Sequence, residues 1–285
     1  MINIDNNFAD ENNIMSYKRF YSLSSFICLL LMALTLNGAA VRRTVQRTVN
    51  DTLPIGSPNY EAMFSDGKLR IAVFWGYDHP RDTIIGSLPI FTTLNGKKLF
   101  YKGLPVTIEV GMITQIDNNP KNIFKMALED PTVDIVIYSG HARYGGGMAF
   151  SSLNDIFKCG NGDFIEDRHK KPYKIIKASS EDLDSTIFPN NYKIVFLNCC
   201  DSGGHFRESW KRRFFECGSP VELLTVEYPV FNFYDHKRVL NLLQNMLAFA
   251  DWKTIKLHYD SEIYKRRNRL IVDSAYKSSA KRVNK

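Results

Sequence analysis

The sequence predicts an α/β fold, in which a mostly parallel sheet carries helices on both faces. Short segments that are almost continuously apolar, as strands buried on both faces are, alternate along the chain with segments of helical periodicity. In addition, 44% of the 285 residues are hydrophobic and 24% are charged. This is the composition of an ordinary globular protein, and the chain is long enough to bury a sizeable core.

The first 40 residues resemble a secretory signal in composition and order. Lys18 and Arg19 precede an apolar run within residues 20–36, and small residues follow up to Ala40. A short basic region, an apolar stretch and small residues at its end are typical of a signal peptide. We therefore expect an exported protein, either periplasmic or extracellular.

Two other interpretations of this segment stay open. Three arginines, Arg42, Arg43 and Arg47, follow the apolar run, and such a charge bias can hold the carboxyl side of a membrane anchor in the cytoplasm. The alternative is thus a membrane-anchored protein, held through residues 20–40, and an ordinary buried segment is the third interpretation. Because residues 1–14 are polar and precede the signal-like pattern, Met15 is a candidate for the true start.

The rest of the chain divides into a linker at 41–66, a domain at 67–260 and a basic tail at 261–285. The linker prediction rests on polar residues, prolines and a glycine. From residue 264 onwards the chain has eight lysines and arginines against one aspartate, whereas the whole chain has a net charge of +7. The body is therefore close to neutral, and its charge gives no reason to expect a nucleic-acid partner.

Within the domain, apolar segments rich in β-branched residues predict strands at 68–76, 104–111, 133–139, 194–198 and 221–228. Apolar residues on one helical face predict helices at 120–128, 206–216 and 235–251. Residues 81–99 are ambiguous, with a short helix at 84–94 as one interpretation, and 142–191 form the longest irregular segment. Loops of that length in compact domains are often functional.

Reactive side chains follow two of the predicted strands. His141 comes just after the strand at 133–139, and Cys199 and Cys200 come just after the strand at 194–198. In parallel sheets the working residues gather at the carboxyl ends of the strands. A cysteine thiolate can attack a carbonyl carbon when a nearby histidine takes its proton, and turns after strands supply N–H donors for the oxyanion.

The five cysteines give no pattern of a metal site or of a disulfide framework. The spacing between cysteines and histidines does not match a zinc site, and the chain is far too long for five cysteines to define its fold. We therefore expect no metal and no cofactor.

The two strand ends carry motifs that resemble those of a known family. Tyr138-Ser-Gly-His141 and Leu197-Asn-Cys-Cys-Asp-Ser-Gly203 look like the two catalytic motifs of the caspase-like cysteine peptidases of clan CD, which include caspases, metacaspases and gingipain-type enzymes. The histidine precedes the second cysteine by 59 residues, near the spacing in caspases. The resemblance covers roughly residues 69–247. It implies a caspase-hemoglobinase-like fold and an endopeptidase that takes a protein or peptide substrate.

Carried over residue by residue, the resemblance assigns the acid/base role to His141 and the nucleophile to Cys200. It implies an oxyanion hole formed by the N–H groups of Ala142 and Cys200, although the family usually has glycine where Ala142 stands. Because alternate strand residues face opposite sides, Cys199 is expected to pack in the core.

The resemblance also implies a substrate pocket, to which we assign Asn198, Asp78 and Asp201. Metacaspases, which cut after basic residues, have an acid where Asn198 stands, so no preference for lysine or arginine is implied. A carboxylate as close as that of Asp201 raises the pKa of a thiol. Because of Ala142 and Asp201, a caspase-like binding or scaffold module without catalysis, acting at the cell envelope, is the alternative function. The sequence does not predict the oligomeric state.

Overall fold

The computed structural model describes residues 56–76, 91–114, 119–142, 147–150, 181–227, 235–261 and 269–274. The predicted signal or anchor at 1–40 and the predicted pocket residue Asp78 lie outside these ranges. Within them, none of the helices has the length and apolar character needed to cross a membrane.

The described strands form one mixed, mostly parallel sheet. In chain order they are β1 Lys68–Trp75, β2 Lys98–Tyr101, β3 Leu104–Thr114, β4 Ile135–Gly140, β5 Lys193–Cys199, β6 Val221–Val226 and β7 Leu270–Ser274. Their order across the sheet is β2-β3-β1-β4-β5-β6-β7. The five inner strands are parallel, and β2 and β7 run antiparallel to their neighbours. The predicted α/β class with a mostly parallel sheet is confirmed.

Helices pack on both faces of this sheet. They are α1 Tyr60–Met63, α2 Pro120–Glu129, α3 Glu181–Asp184, α4 Ser202–His205, α5 Arg207–Cys217, α6 Asp235–Leu247 and α7 Trp252–Ser261. Residues of α1, α6 and α7 share one buried apolar cluster with Ile137 and Phe196, on what we call the α6–α7 face. Residues of α2, α3 and α5 share the other cluster with Tyr138 and Leu197, on the α2–α5 face.

Helix α2 is fixed at both ends by local chemistry. Asn119 accepts a hydrogen bond from the Asn122 N–H, and Pro120 occupies the first turn, where its missing N–H costs nothing. At the other end the buried Lys193 ammonium donates to the carbonyls of Ala127 and Asp130, at 3.0 and 2.7 Å. Burial lowers the pKa of Lys193 to about 8. The start of β5 is thereby tied to the helix that covers β4.

The predicted linker at 41–66 is corrected at its carboxyl end. Tyr60, Met63 and Phe64 are buried, and the first two belong to α1. Their spacing of three and four residues places them on one helical face, where Tyr60 and Phe64 stack near Tyr101 and Phe249. The burial of these side chains on one face stabilises a helical turn, even though the surrounding sequence is polar and contains prolines.

The predicted tail at 261–285 is also corrected, because β7 lies within it and pairs with β6. Its sequence is Leu-Ile-Val-Asp-Ser, and basic residues flank it. The tail was predicted from its excess of basic residues, and that criterion does not detect a short strand among them. Four further elements were not predicted, namely β2, α3, α4 and α7. Helix α6 ends at Leu247 instead of residue 251, because Phe249 adopts a left-handed backbone with φ 56° that a helix cannot continue through.

Candidate functional site

The site is built from the ends of two neighbouring parallel strands. Gly140 of β4 and Cys199 of β5 are paired in register, and His141 and Cys200 are the residues that directly follow them. Both His141 and Cys200 are partly exposed. Neighbouring strands lie about 4.8 Å apart, so the sheet itself brings these two residues to one edge, on adjacent strands.

Strand alternation predicts that His141 and Cys200 face the same side of the sheet. Ser139 and Asn198, one pair earlier, are in register and are joined by a hydrogen bond from Asn198 Nδ2 to Ser139 Oγ at 2.9 Å. Both residues lie one position beyond their strands, and continuing the period of two residues predicts that they face the same side as this pair. The partly buried Cys200 contacts both apolar clusters. Cys199, by contrast, has 0% exposure and packs in the apolar cluster of the α2–α5 face.

The backbone just after β4 is held by the hydroxyl of Tyr138. Its Oη lies 2.8 Å from the His141 carbonyl oxygen, to which it donates. The Ala149 N–H donates to the same hydroxyl at 2.8 Å, and it lies 3.3 Å from the His141 carbonyl oxygen. The hydroxyl also lies 3.2 Å from the Ala149 carbonyl oxygen, so three backbone groups meet at one buried side chain.

Two glycines make room for this hydroxyl. A Cβ added at Gly140 would lie 2.6 Å from Tyr138 Oη, and one added at Gly76 would lie 2.4 Å from it. The Gly76 N–H also donates to the Ser139 carbonyl at 2.8 Å, which extends the pairing of β1 and β4. The glycine before His141 is thus required by close approach, since its backbone φ is not in the left-handed region.

The turn that carries Cys200 is anchored to strands β5 and β6. Asp201 has a left-handed backbone with φ 47° and begins α4, and its carboxylate accepts a hydrogen bond from the Gly204 N–H. The Ser202 hydroxyl donates to the Leu197 carbonyl at 2.7 Å and accepts from the Val226 N–H at 2.9 Å. The predicted pocket residue Asp201 is therefore partly exposed and acts as the cap of this turn.

The predicted pocket residue Asn198 does not line an open pocket. It has 0% exposure, and both ends of its amide are bonded, Nδ2 to Ser139 and Oδ1 to the Tyr259 hydroxyl at 3.1 Å. Tyr259 is itself fully buried on α7. Helix α7, which the sequence did not predict, therefore covers this side chain.

The predicted oxyanion donor Ala142 is also less open than expected. Its exposed fraction is 1%, and it packs with the apolar cluster of the α2–α5 face. A glycine has no methyl group to bury in this way. Of the two predicted donors, only Cys200 belongs to a partly exposed residue.

Two chemical properties of the described part of the chain bear on the site. Cys199, Cys200 and Cys217 are free thiols there, which a nucleophile has to be. Among the same residues, no group of three or more His, Cys, Asp or Glu side chains is placed to hold a metal ion.

Sequence reasoning missed two residues that support the site, Tyr138 and Tyr259. Tyr138 stands within the first motif, but its sequence context indicates only a strand residue. Tyr259 follows Trp252 and Ile255 at spacings of three and four residues, and all three are buried. This helical spacing was the available signal for α7.

The chain was compared with protein-family models and with curated proteins. No protein-family model matches the chain, and neither does any curated protein.

Proposed function

We propose that this chain is a cysteine endopeptidase with a caspase-like fold, in which Cys200 is the nucleophile and His141 the general acid and base. The observation that carries the proposal is the placement of His141 and Cys200 directly after the register pair Gly140–Cys199 on adjacent parallel strands. The order of the inner strands and the helices on both faces are consistent with this fold.

In the proposed reaction, His141 accepts the proton of the Cys200 thiol, and the thiolate attacks the carbonyl carbon of a peptide bond. The oxyanion is stabilised by backbone N–H groups, with those of Cys200 and Ala142 as the candidates. The C–N bond then breaks as His141 returns the proton to the leaving amine. Water, activated by the same histidine, hydrolyses the remaining thioester and restores the thiol. No metal or cofactor takes part.

We propose a protein or peptide as the substrate, without a preference for cutting after lysine or arginine. Asn198 is neutral, and both its donor and its acceptor group are occupied by Ser139 and Tyr259. A buried neutral amide attracts a basic side chain far less than a carboxylate would.

A second candidate is a caspase-like binding or scaffold module without catalysis. The burial of Ala142 and Asn198 favours it, because a catalytic site needs an open oxyanion hole and an open substrate pocket. Asp201 also favours it, because a carboxylate next to the nucleophile opposes formation of the thiolate. In the structure this carboxylate caps the turn.

The deciding experiment is a peptide-library cleavage assay, combined with labelling by a peptide that carries a thiol-reactive group. We expect the wild-type chain to cleave peptides and to be labelled, and Cys200→Ala to lose both activities. Cys199→Ala is the matched control, because it removes the adjacent thiol from the core and should keep both.

The outcomes separate the two candidates. Cleavage by Cys200→Ala at the wild-type rate would exclude Cys200 as the nucleophile. A folded wild-type chain that neither cleaves nor is labelled would favour the binding module.

We also propose that the chain is exported, with a membrane anchor through residues 20–40 as the alternative. The support is the order of charge, apolar run and small residues up to Ala40. Sequencing of the amino terminus of the purified protein tests this. A mature chain that begins at Val41 supports a cleaved signal, and one that still contains residues 20–40 contradicts it.

A further inference from the structure

The Tyr138 hydroxyl makes hydrogen bonds that the packing of its ring does not require. Its ring is fully buried on the α2–α5 face, where it packs edge-on against Phe150 and Phe124. A phenylalanine would fill that space equally well. The hydroxyl reaches beyond the ring and is hydrogen-bonded to backbone groups of His141 and Ala149 at the carboxyl edge of the sheet.

The peptide group that Tyr138 holds is the one that joins His141 to Ala142. The described backbone has no cis peptide bond, and in a planar trans peptide the C=O and the N–H point in opposite directions. The hydroxyl that binds the His141 carbonyl oxygen at 2.8 Å therefore also sets the direction of the Ala142 N–H. That N–H points away from the α2–α5 face.

The close contacts around the hydroxyl leave it little freedom. Gly140 and Gly76 lie directly against Oη, and a Cβ at Gly140 would also approach the Cα of Gly76 to 2.9 Å. The hydroxyl, the two glycines and Ala149 thus form one rigid unit beneath the chain at His141. A side chain placed so rigidly can hold a neighbouring group to within the fraction of an ångström that catalysis requires.

We infer that Tyr138 is a positioning residue of the site, which fixes the peptide group between His141 and Ala142 through its hydroxyl. It thereby sets both the starting point of the His141 side chain and the direction of the Ala142 N–H. The inference rests on the proposed peptidase function and adds to it a residue that touches neither the substrate nor the thiol.

The test compares Tyr138→Phe with the wild-type chain in alkylation of Cys200 by iodoacetamide as a function of pH. Loss of the hydroxyl should let His141 shift and weaken its pairing with the thiol. We expect the rate at pH 7 to fall about tenfold or more, and the midpoint of the pH profile to rise toward the ordinary thiol value of about 8.5. In peptide cleavage, kcat should fall while KM changes little, because the substrate-binding surface is unaltered.

Tyr192→Phe is the matched control. The Tyr192 hydroxyl is equally engaged, since it donates to Glu222 at 2.8 Å and accepts from the Asn59 N–H at 2.9 Å, but it lies at the opposite end of β5. This variant should lose stability and keep the wild-type pH profile. A profile shifted equally in both variants would mean that any buried hydroxyl has this effect, and would overturn the inference.

Gly140→Ala provides a second route to the same question if Tyr138→Phe does not fold. Its Cβ would lie 2.6 Å from the hydroxyl oxygen and 3.0 Å from the ring carbon that bears it, so the end of the tyrosine side chain has to shift. We expect the same shift of the pH profile. If Cys200 of the wild-type chain reacts only as an ordinary thiol, the peptidase proposal fails. If it is activated in the wild-type chain and unchanged in the Tyr138 and Gly140 variants, only the positioning role fails.

Discussion

Arg207 and Asp273 form an ion pair with two hydrogen bonds, from Nε to Oδ2 at 2.5 Å and from Nη2 to Oδ1 at 2.7 Å. Arg207 begins α5, shortly after the turn that carries Cys200, and Asp273 belongs to β7. The Asp273 side chain is 13% exposed, so water screens the pair only partly. The pair therefore attaches the edge strand of the sheet to the helix that follows the turn carrying Cys200.

Replacing Asp273 with asparagine should weaken this attachment. Asparagine keeps one oxygen as an acceptor but loses the negative charge that attracts Arg207 and Lys211. We therefore expect the free energy of unfolding to fall by about 1–2 kcal/mol. Urea denaturation measures the change. The control is Glu61→Gln, which breaks the pair of Glu61 with Lys102. Because both side chains are exposed to water, this change should lower the free energy of unfolding far less. Equal effects of the two changes would contradict the structural role of Asp273.

Asp134 should make stability depend on pH. It is 8% exposed and accepts a hydrogen bond from the Arg70 N–H, and burial raises its pKa from 3.8 to about 7. The folded state therefore holds a proton that the unfolded state has released, and the free energy of unfolding falls as the pH rises from about 4 to about 7.

Asp134→Asn keeps an acceptor for Arg70 and removes the titrating group. At pH 8 we expect this variant to be more stable than the wild-type chain by about 1–3 kcal/mol, and at pH 4 the two should be similar. Urea midpoints at the two pH values measure this. A difference between variant and wild type that stays constant with pH would show that Asp134 is not the titrating group.

Tyr259→Phe should affect both stability and the site. It removes the donor to Asn198 Oδ1 and leaves a buried acceptor without its partner, at a cost of about 1–2 kcal/mol. Since Asn198 lies two residues before Cys200, we also expect slower labelling of Cys200. Tyr60→Phe removes a similar bond, from the Tyr60 hydroxyl to the Ala250 carbonyl, far along the chain from either motif. That variant should lose stability alone, and slower labelling in both variants would be evidence against a specific role for Tyr259.

Gly203 and Ile271 should show coupled effects on stability. A Cβ at Gly203 would lie 2.7 Å from Cδ1 of Ile271 and 3.3 Å from the Val226 carbonyl oxygen. Gly203→Ala alone should therefore cost about 1 kcal/mol through overpacking. Ile271→Val removes the δ-methyl group, so in that background the glycine substitution should cost less, with a coupling of about 0.5 kcal/mol or more. Strict additivity in thermal or urea unfolding would show that the two side chains do not meet.

The inner strands could be predicted from the sequence because a strand buried on both faces has an almost continuously apolar sequence. Strands β4 and β5 are buried throughout, and their apolar runs are visible in the sequence. The outer strands β2 and β7 have no such long apolar run. They have four and five residues, and edge strands carry polar and charged residues that resemble loops.

The position of His141 and Cys200 at one edge of the sheet followed from the rule for parallel strands, and the register of β4 with β5 places them there. The covering of Asn198 could not be foreseen, because it depends on α7, which is separated from β5 by more than 50 residues. The role of the Tyr138 hydroxyl depends on the path of the chain after His141 as far as Ala149. No local pattern encodes that path.

The close approach of Gly76, Gly140 and the Tyr138 hydroxyl has a consequence for the choice of ligand. From β1 the sheet grows outward to β3 in one direction, and from β4 it grows through β5 and β6 in the other. The order reverses between β1 and β4, which is where open α/β sheets commonly form the crevice that holds a nucleotide or another free ligand. Here the Tyr138 hydroxyl lies against Gly76 and Gly140, the residues at the ends of these two strands. Under the proposed peptidase function, the substrate would therefore bind at the neighbouring ends of β4 and β5, next to His141 and Cys200.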